Sequence, residues 1–193
     1  MTMQGYTLLE VLVALVLVSI ALLGLAGLQI RAQQAEVEAY QRAQALLMVA
    51  DMIDRISLNR GARRCYVTQD AQGNSYTLGT GTQNIPACTG WGNNATRSRA
   101  DTDMAAWNDM LQGATERLAA DDLVGGLVGA RGCITYQPEQ VGPPAVPESI
   151  TVTVAWQGET ETGTPADNCA AGLYGDEDLR RTVSDTVRFA ELD

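Results

Sequence analysis

Gly5-Tyr6-Thr7-Leu8-Leu9-Glu10, followed without a break by Val11–Leu28 (VLVALVLVSIALLGLAGL), is the stretch that decides the fold. Those 18 residues from Val11 carry no charge, and Gln29 and Ile30 extend the run. Roughly 20 apolar residues suffice to cross a ~30 Å hydrocarbon core as a helix. A cleaved secretory signal fits poorly: the run is too long, no A-x-A-like site closes it, and MTMQG carries no positive charge. Glu10 stands at the edge of this run. A carboxylate in a lipid-facing helix costs a few kcal/mol and marks a function, unless it lies in the headgroup zone and costs nothing.

Glycine, aromatic residue, acid and uninterrupted apolar run stand in fixed register here, and that string resembles the class III prepilin signal of type IV pilins and type II secretion pseudopilins. The resemblance implies cleavage by a membrane prepilin peptidase between Gly5 and Tyr6, then N-methylation of Tyr6. Tyr6 replaces the usual Phe. The leader lacks Lys and Arg, so the positive-inside rule says nothing about orientation. Cleavage creates an α-amino group four residues before Glu10. Positions i and i+4 share a helix face, so Glu10 can neutralise that amine within its own chain. By resemblance, in a filament it pairs with the amine of a neighbouring subunit. Either pairing offsets the desolvation of a buried carboxylate.

Composition narrows the rest. Net charge is -10, histidine is absent, and all 13 basic residues are arginine. This excludes Ser-His or Cys-His nucleophile pairs, Schiff-base lysines, His-ligated zinc and a P-loop lysine. So acidic a chain suits nucleic acid badly. Cys65, Cys88, Cys133 and Cys169 show no C-x-x-C spacing, and an even number spread through one region reads as two disulfides in an oxidising compartment. Three connectivities remain open. The favoured one joins Cys65 to Cys88, tying down an irregular region, and Cys133 to Cys169, holding back a long loop.

Gln33–Leu58 continues the helix without Gly or Pro, giving roughly 75–80 Å from about Thr7. Ala39, Ala43, Leu46, Ala50, Ile53 and Ile56 form its expected buried stripe, with Glu38/Arg42 and Asp51/Arg55 as exposed i,i+4 pairs. Asn59 and Gly61 end it. Residues 62–100 read as irregular, with strand-like pieces at Cys65–Thr68 and Ser75–Leu78. Asp101–Leu118 reads as a helix anchored by Trp107. Strands are expected at Gly132–Gln137, Ser149–Trp156 and Thr182–Phe189, with the Gly-, Pro- and acid-rich loop Gln157–Arg181 between the last two.

The expected fold is therefore α+β: a long N-terminal helix, half membrane-spanning and half amphipathic, packed on a small antiparallel sheet, as in the pilin α/β-roll. Expected boundaries are 1–5 for the leader, 6–30 for the hydrophobic half and 31–193 for the head. The head divides into amphipathic helix 31–58, loop region 59–130 and sheet with disulfide region 131–193. Asp51–Asn59, Asp103–Leu111, Ile150–Gly158 and Asp178–Arg181 are similar to segments of minor pilins of the PilV type. That likeness implies a non-catalytic subunit that helps initiate pilus assembly and joins the pilus at or near its tip. Implied partners are the prepilin peptidase, other minor pilins, the major pilin and the inner membrane. The implied location is a single-pass bacterial inner-membrane protein with a periplasmic head, and then the pilus.

No cofactor, metal or nucleic-acid partner is expected. Asp121-Asp122 and Asp176-Glu177-Asp178 lack EF-hand spacing and read as solvated loops, with Asp178 beside Arg180-Arg181 for ion pairing. Asn94-Ala95-Thr96 matches a glycosylation sequon that arises easily by chance. Two alternatives stand beside the pilin reading: a minor pseudopilin of a type II secretion system, and a membrane-tethered periplasmic enzyme using paired carboxylates.

Overall fold

The computed structural model describes residues 7–68, 76–82, 84–113 and 127–189. The chain divides into two units, Met1–Tyr40 and Gln41–Asp193. One helix, α1 (Leu8–Leu58), begins in the first and ends in the second.

In the first unit every side chain from Thr7 to Val37 is exposed, the aliphatic ones included. Among the described residues, α1 alone is long and apolar enough to cross a membrane. It passes unbroken through Gly24 and Gly27. The one hydroxyl in the apolar run is satisfied locally, Ser19 Oγ donating to the Leu15 carbonyl at 2.8 Å.

The second unit is a four-stranded antiparallel meander in the order β1-β2-β3-β4: β1 (Leu78–Gly79), β2 (Arg131–Gln137), β3 (Glu148–Gln157) and β4 (Arg180–Phe189). Alternation along β3 is the organising pattern. Ile150, Val152, Val154 and Trp156 are buried on the face that joins the main core, with Ile134 across on β2 and Val183 and Phe189 on β4. Asp185 interrupts the apolar alternation of β4, which is an edge strand, and stays exposed. A charge there discourages pairing with another chain.

The amphipathic part of α1 meets this core through Ala45, Met48, Val49, Met52 and Ile56. The expected stripe is thus displaced: Ala43, Leu46 and Ala50 are exposed, and only Ile56, with half-buried Ile53, belongs to both sets. Apolar residues are so dense between Ala43 and Ile56 that two stripes, about 100° apart, both meet the helical spacing. The buried one carries Met48 and Met52, whose flexible thioethers fill irregular gaps.

Helix α2 is Asn94–Leu111, beginning seven residues before the expected Asp101. Its start is a capping box. Asn93 Oδ1 accepts from the Thr96 amide at 3.0 Å, and the Asn93 amide donates to Thr96 Oγ1 at 2.9 Å. The sequon's threonine is therefore occupied in capping. Leu118, where the helix was expected to end, lies outside the described residues, as do Asp121-Asp122 and the start of the Ser75–Leu78 piece. Cys65–Thr68 is largely not a strand either. Arg60–Tyr66 is a 3-10 helix that follows α1 after Asn59, and only Thr68 meets the sheet, through a 2.9 Å bond from its amide to the Ile134 carbonyl.

The sheet's other face is covered at one end by the connection between β3 and β4. Cys169, Ala170 and Tyr174 pack there with Ala155 and Cys133, and Tyr174 donates to the Gly129 carbonyl at 2.9 Å.

Candidate functional site

At the first turn of α1, Thr7 and Glu10 face each other. The Thr7 amide donates to Glu10 Oε2 at 3.3 Å, and the Glu10 amide donates to Thr7 Oγ1 at 3.3 Å. These reciprocal bonds form a Thr-x-x-Glu capping box, in which the carboxylate accepts from the Thr7 amide. The signal was present in Thr7-Leu8-Leu9-Glu10, but the reading of Glu10 as an assembly charge passed over it. Gly5 and Tyr6, the expected cleavage and methylation positions, lie outside the described residues. Glu10 and the aliphatic side chains after it remain exposed, so the first unit offers a bare apolar helix with one acid near its start.

In the second unit the polar side chains are organised around arginines. Where α1 ends, Arg55 bridges Asp51 at 2.7 Å and Asp103 at 3.1 Å. Tyr66 donates to Asp103 at 2.7 Å, and Asn59 donates to the Tyr66 hydroxyl at 3.0 Å and to the Thr96 carbonyl at 2.8 Å. Burial, reinforced by the bond to Asp103, pushes the Tyr66 phenol well above its ordinary range. This network bolts α2 to the end of α1. At the far end of the helix pair, Trp107 Nε1 donates to the Met48 carbonyl at 2.9 Å.

Cys65 is joined to Cys88 and Cys133 to Cys169, with Cα–Cα distances of 5.2 and 5.7 Å. The loops closed span 23 and 36 residues, each worth roughly 3–4 kcal/mol in the chain-entropy treatment. The second bridge holds the β3–β4 connection on the sheet. Arg180 secures the same loop from beneath: 2% exposed, it donates to Glu177 at 2.6 Å and to the carbonyls of Asp167 and Cys169 at 2.8 and 3.2 Å. Its acidic partners are Glu177 and Asp167. The Asp178 carboxylate accepts from Thr164 at 2.7 Å while its carbonyl accepts from Arg181 at 3.0 Å, and Asp176 caps the short 3-10 turn before β4. The Gly172 amide and then Arg180 hold the Glu177 carboxyl below its usual range. No cluster of three or more metal-ligating side chains occurs among the described residues.

A family of prokaryotic N-terminal methylation motifs matches residues 1–26, and the family described as type IV pilin Tt1218 matches residues 27–110. The two abut, and the junction falls within α1. Over residues 1–110 the chain matches the type IV pilin family. No curated protein and no solved structure matches it. That match accounts for an exposed aliphatic helix of this length: the motif implies processing by prepilin peptidase and assembly with other pilins, and the apolar helix fits inner-membrane anchoring followed by incorporation into a pilus. Pilins are in general structural subunits, which accords with a head whose buried polar groups serve architecture.

A polar cleft of about 320 Å³ in the pilin head is lined by Gly61, Arg63, Arg64, Trp91 and Glu148. Arg63 meets Glu148 in a bidentate pair, Nε–Oε1 and Nη2–Oε2 both at 2.6 Å. That fork holds the Glu148 carboxyl below its usual range. Sequence reasoning missed this cluster because its members come from the 3-10 helix, the loop before α2 and the start of β3.

Proposed function

We propose that this pilin is a minor subunit of the PilV type, cut between Gly5 and Tyr6, methylated on Tyr6, and incorporated at or near the pilus tip after helping to initiate assembly. The observation carrying the reading is the pairing of a prepilin motif with an α1 half whose aliphatic side chains are all uncovered. Such a surface needs lipid or the helices of neighbouring subunits. Similarity of Asp51–Asn59, Asp103–Leu111 and Ile150–Gly158 to minor pilins supports the subtype. Two disulfides support a head facing an oxidising periplasm.

On this reading Glu10 changes partner during maturation. In the uncut chain it caps α1 with Thr7. After cleavage it faces the new amine of Tyr6, on its own chain or on a neighbour. The head is a binding and packing module without catalytic activity.

Intact-mass measurement of protein from its native host tests the proposal. The expected mature chain begins at Tyr6, without MTMQG and with one added methyl group. A mature N-terminus at Met1 or Met3 sinks the reading. In the same host Glu10→Gln should insert in the membrane normally while its recovery in sheared pili falls; unchanged recovery makes Glu10 merely interfacial.

A further inference from the structure

Acids outnumber bases 23 to 13 in this chain, so an arginine placed at random finds a carboxylate easily. Three arginines beside the polar cleft do not. Arg60 lies over the Phe189 ring, 5.4 Å from its centroid. Arg64 sits against two rings, 4.3 Å from that of Trp91 and 4.2 Å from that of Tyr136, and donates to the Tyr136 hydroxyl. Arg97 donates to the carbonyls of Trp91 and Gly92, both at 2.9 Å. Among the described residues none of the three has a carboxylate within ion-pair distance. Rings and carbonyls fix a guanidinium in place without cancelling its charge. The neighbourhood is thus preorganised and cationic in an acidic protein.

Two further features narrow the ligand. Trp91 is 48% exposed, whereas Trp107 and Trp156 are 0% and 3% exposed. An indole at the mouth of a cleft offers an apolar plate to a ring. Glu148 lines the same cleft, its charge balanced by Arg63 but its oxygens still able to accept hydrogen bonds. Donors, an acceptor and a flat apolar plate together suit a ring rich in hydroxyls that also carries a negative group.

We propose that this cleft binds an anionic glycan unit, a pyranose packed on the part of Trp91 that Arg64 leaves uncovered, with its carboxylate or phosphate met by Arg64. Guanidinium forks match the geometry of either anion. Nucleic acid is disfavoured: it calls for a track of cations and several stacking platforms, and here one exposed tryptophan stands in a chain of net charge -10. The proposal concerns the head's surface and stands whether the subunit is minor or major.

The test uses the full chain in a non-ionic detergent without a sugar headgroup. Fluorescein-labelled oligogalacturonate and phosphorylated dextran are titrated by polarisation, with neutral dextran, polyglutamate and a single-stranded oligonucleotide as competitors. Saturable binding of one or both anionic glycans is expected, the two separating carboxylate from phosphate recognition. Arg64→Gln and Trp91→Ala should each weaken it about tenfold or more, the loss of a charge-assisted fork or of a stacking face. Arg97→Gln, which frees the Trp91 backbone without removing a cleft side chain, should weaken it less. Near-ultraviolet dichroism from buried Trp107 and Trp156 reports whether each variant is folded. Tryptophan emission of the wild type should change on binding, because only Trp91 is accessible. Absence of saturable binding, equal competition by polyglutamate or by neutral dextran, or tighter binding of the oligonucleotide overturns the proposal.

Discussion

Trp107 is packed on Gly132 so closely that a Cβ at residue 132 would lie 2.3 Å from both Cη2 and Cζ3 of the indole. No side chain fits there. Glycine in the middle of a strand weakens it through entropy, and the gain here is room for a fully buried tryptophan bridging α2, β2 and the Met48 carbonyl of α1. Gly132→Ala should destabilise the head by about 1–3 kcal/mol through overpacking, whereas Ala at exposed Gly142, whose Cβ meets nothing, should be near neutral. Thermal unfolding followed by near-ultraviolet dichroism checks both. Equal midpoints for the two variants would contradict this packing.

Met52 is wholly buried and Leu46 is 46% exposed, although both are apolar residues on the same helix. Met52→Ala should therefore cost about 2–5 kcal/mol, and Met52→Asp should prevent a folded head. Leu46→Asp should leave the isolated subunit's unfolding midpoint within a few degrees of wild type. The measurement is thermal unfolding of each variant in detergent; a larger loss from Leu46→Asp than from Met52→Ala would restore the other stripe as the core face.

Arg180 organises the β3–β4 connection by filling it. Lysine at 180 keeps the charge but cannot serve Glu177 and two backbone carbonyls at once, so those carbonyls lose partners in a buried place. Arg180→Lys should leave the strands intact and make 158–179 susceptible to limited proteolysis, with fragments from cuts before Cys169 still joined by the Cys133–Cys169 bridge until reduced. A loop as protease-resistant as wild type would mean the disulfide alone holds it.

Much of this fold was legible because its strongest signals are periodic. The run from Val11, the alternation of Ile150, Val152, Val154 and Trp156, and the helix stop at Asn59 and Gly61 each led to an element in the right place. The errors arose where two readings met the same pattern. Leu46 and Met52 lie on two stripes of one crowded helix, and only the position of Trp107 and the sheet selects between them. Asn93 and Thr96 were read as part of a loop with a sequon, although N-x-x-T also caps a helix. The N-terminal motif was plain in Gly5 to Glu10, whereas the cleft around Trp91 was not. Its arginines, tryptophan and glutamate come from segments up to 87 residues apart, between Gly61 and Glu148, with no shared spacing to reveal them.

The pair Arg63–Glu148 gives the head a defined acid dependence. Bonding to Arg63 lowers the Glu148 pKa in the folded state below its value of about 4.3 in the unfolded chain. Between the two values the unfolded state binds more protons, so stability rises with pH across that window. The contribution is complete above the unfolded value and is lost as pH falls through the folded one. Glu148→Gln should cost up to about 1 kcal/mol at pH 7, a modest figure because the Arg63 side chain is 30% exposed to screening solvent. Glu177 is depressed in the same direction, so the wild-type acid limb alone does not isolate Glu148. The difference between wild type and Glu148→Gln does. Denaturant midpoints from pH 7 to pH 2.5 should converge as the pH falls through the folded-state value; a difference that persists unchanged to pH 2.5 would assign the loss to packing at position 148 and not to its charge.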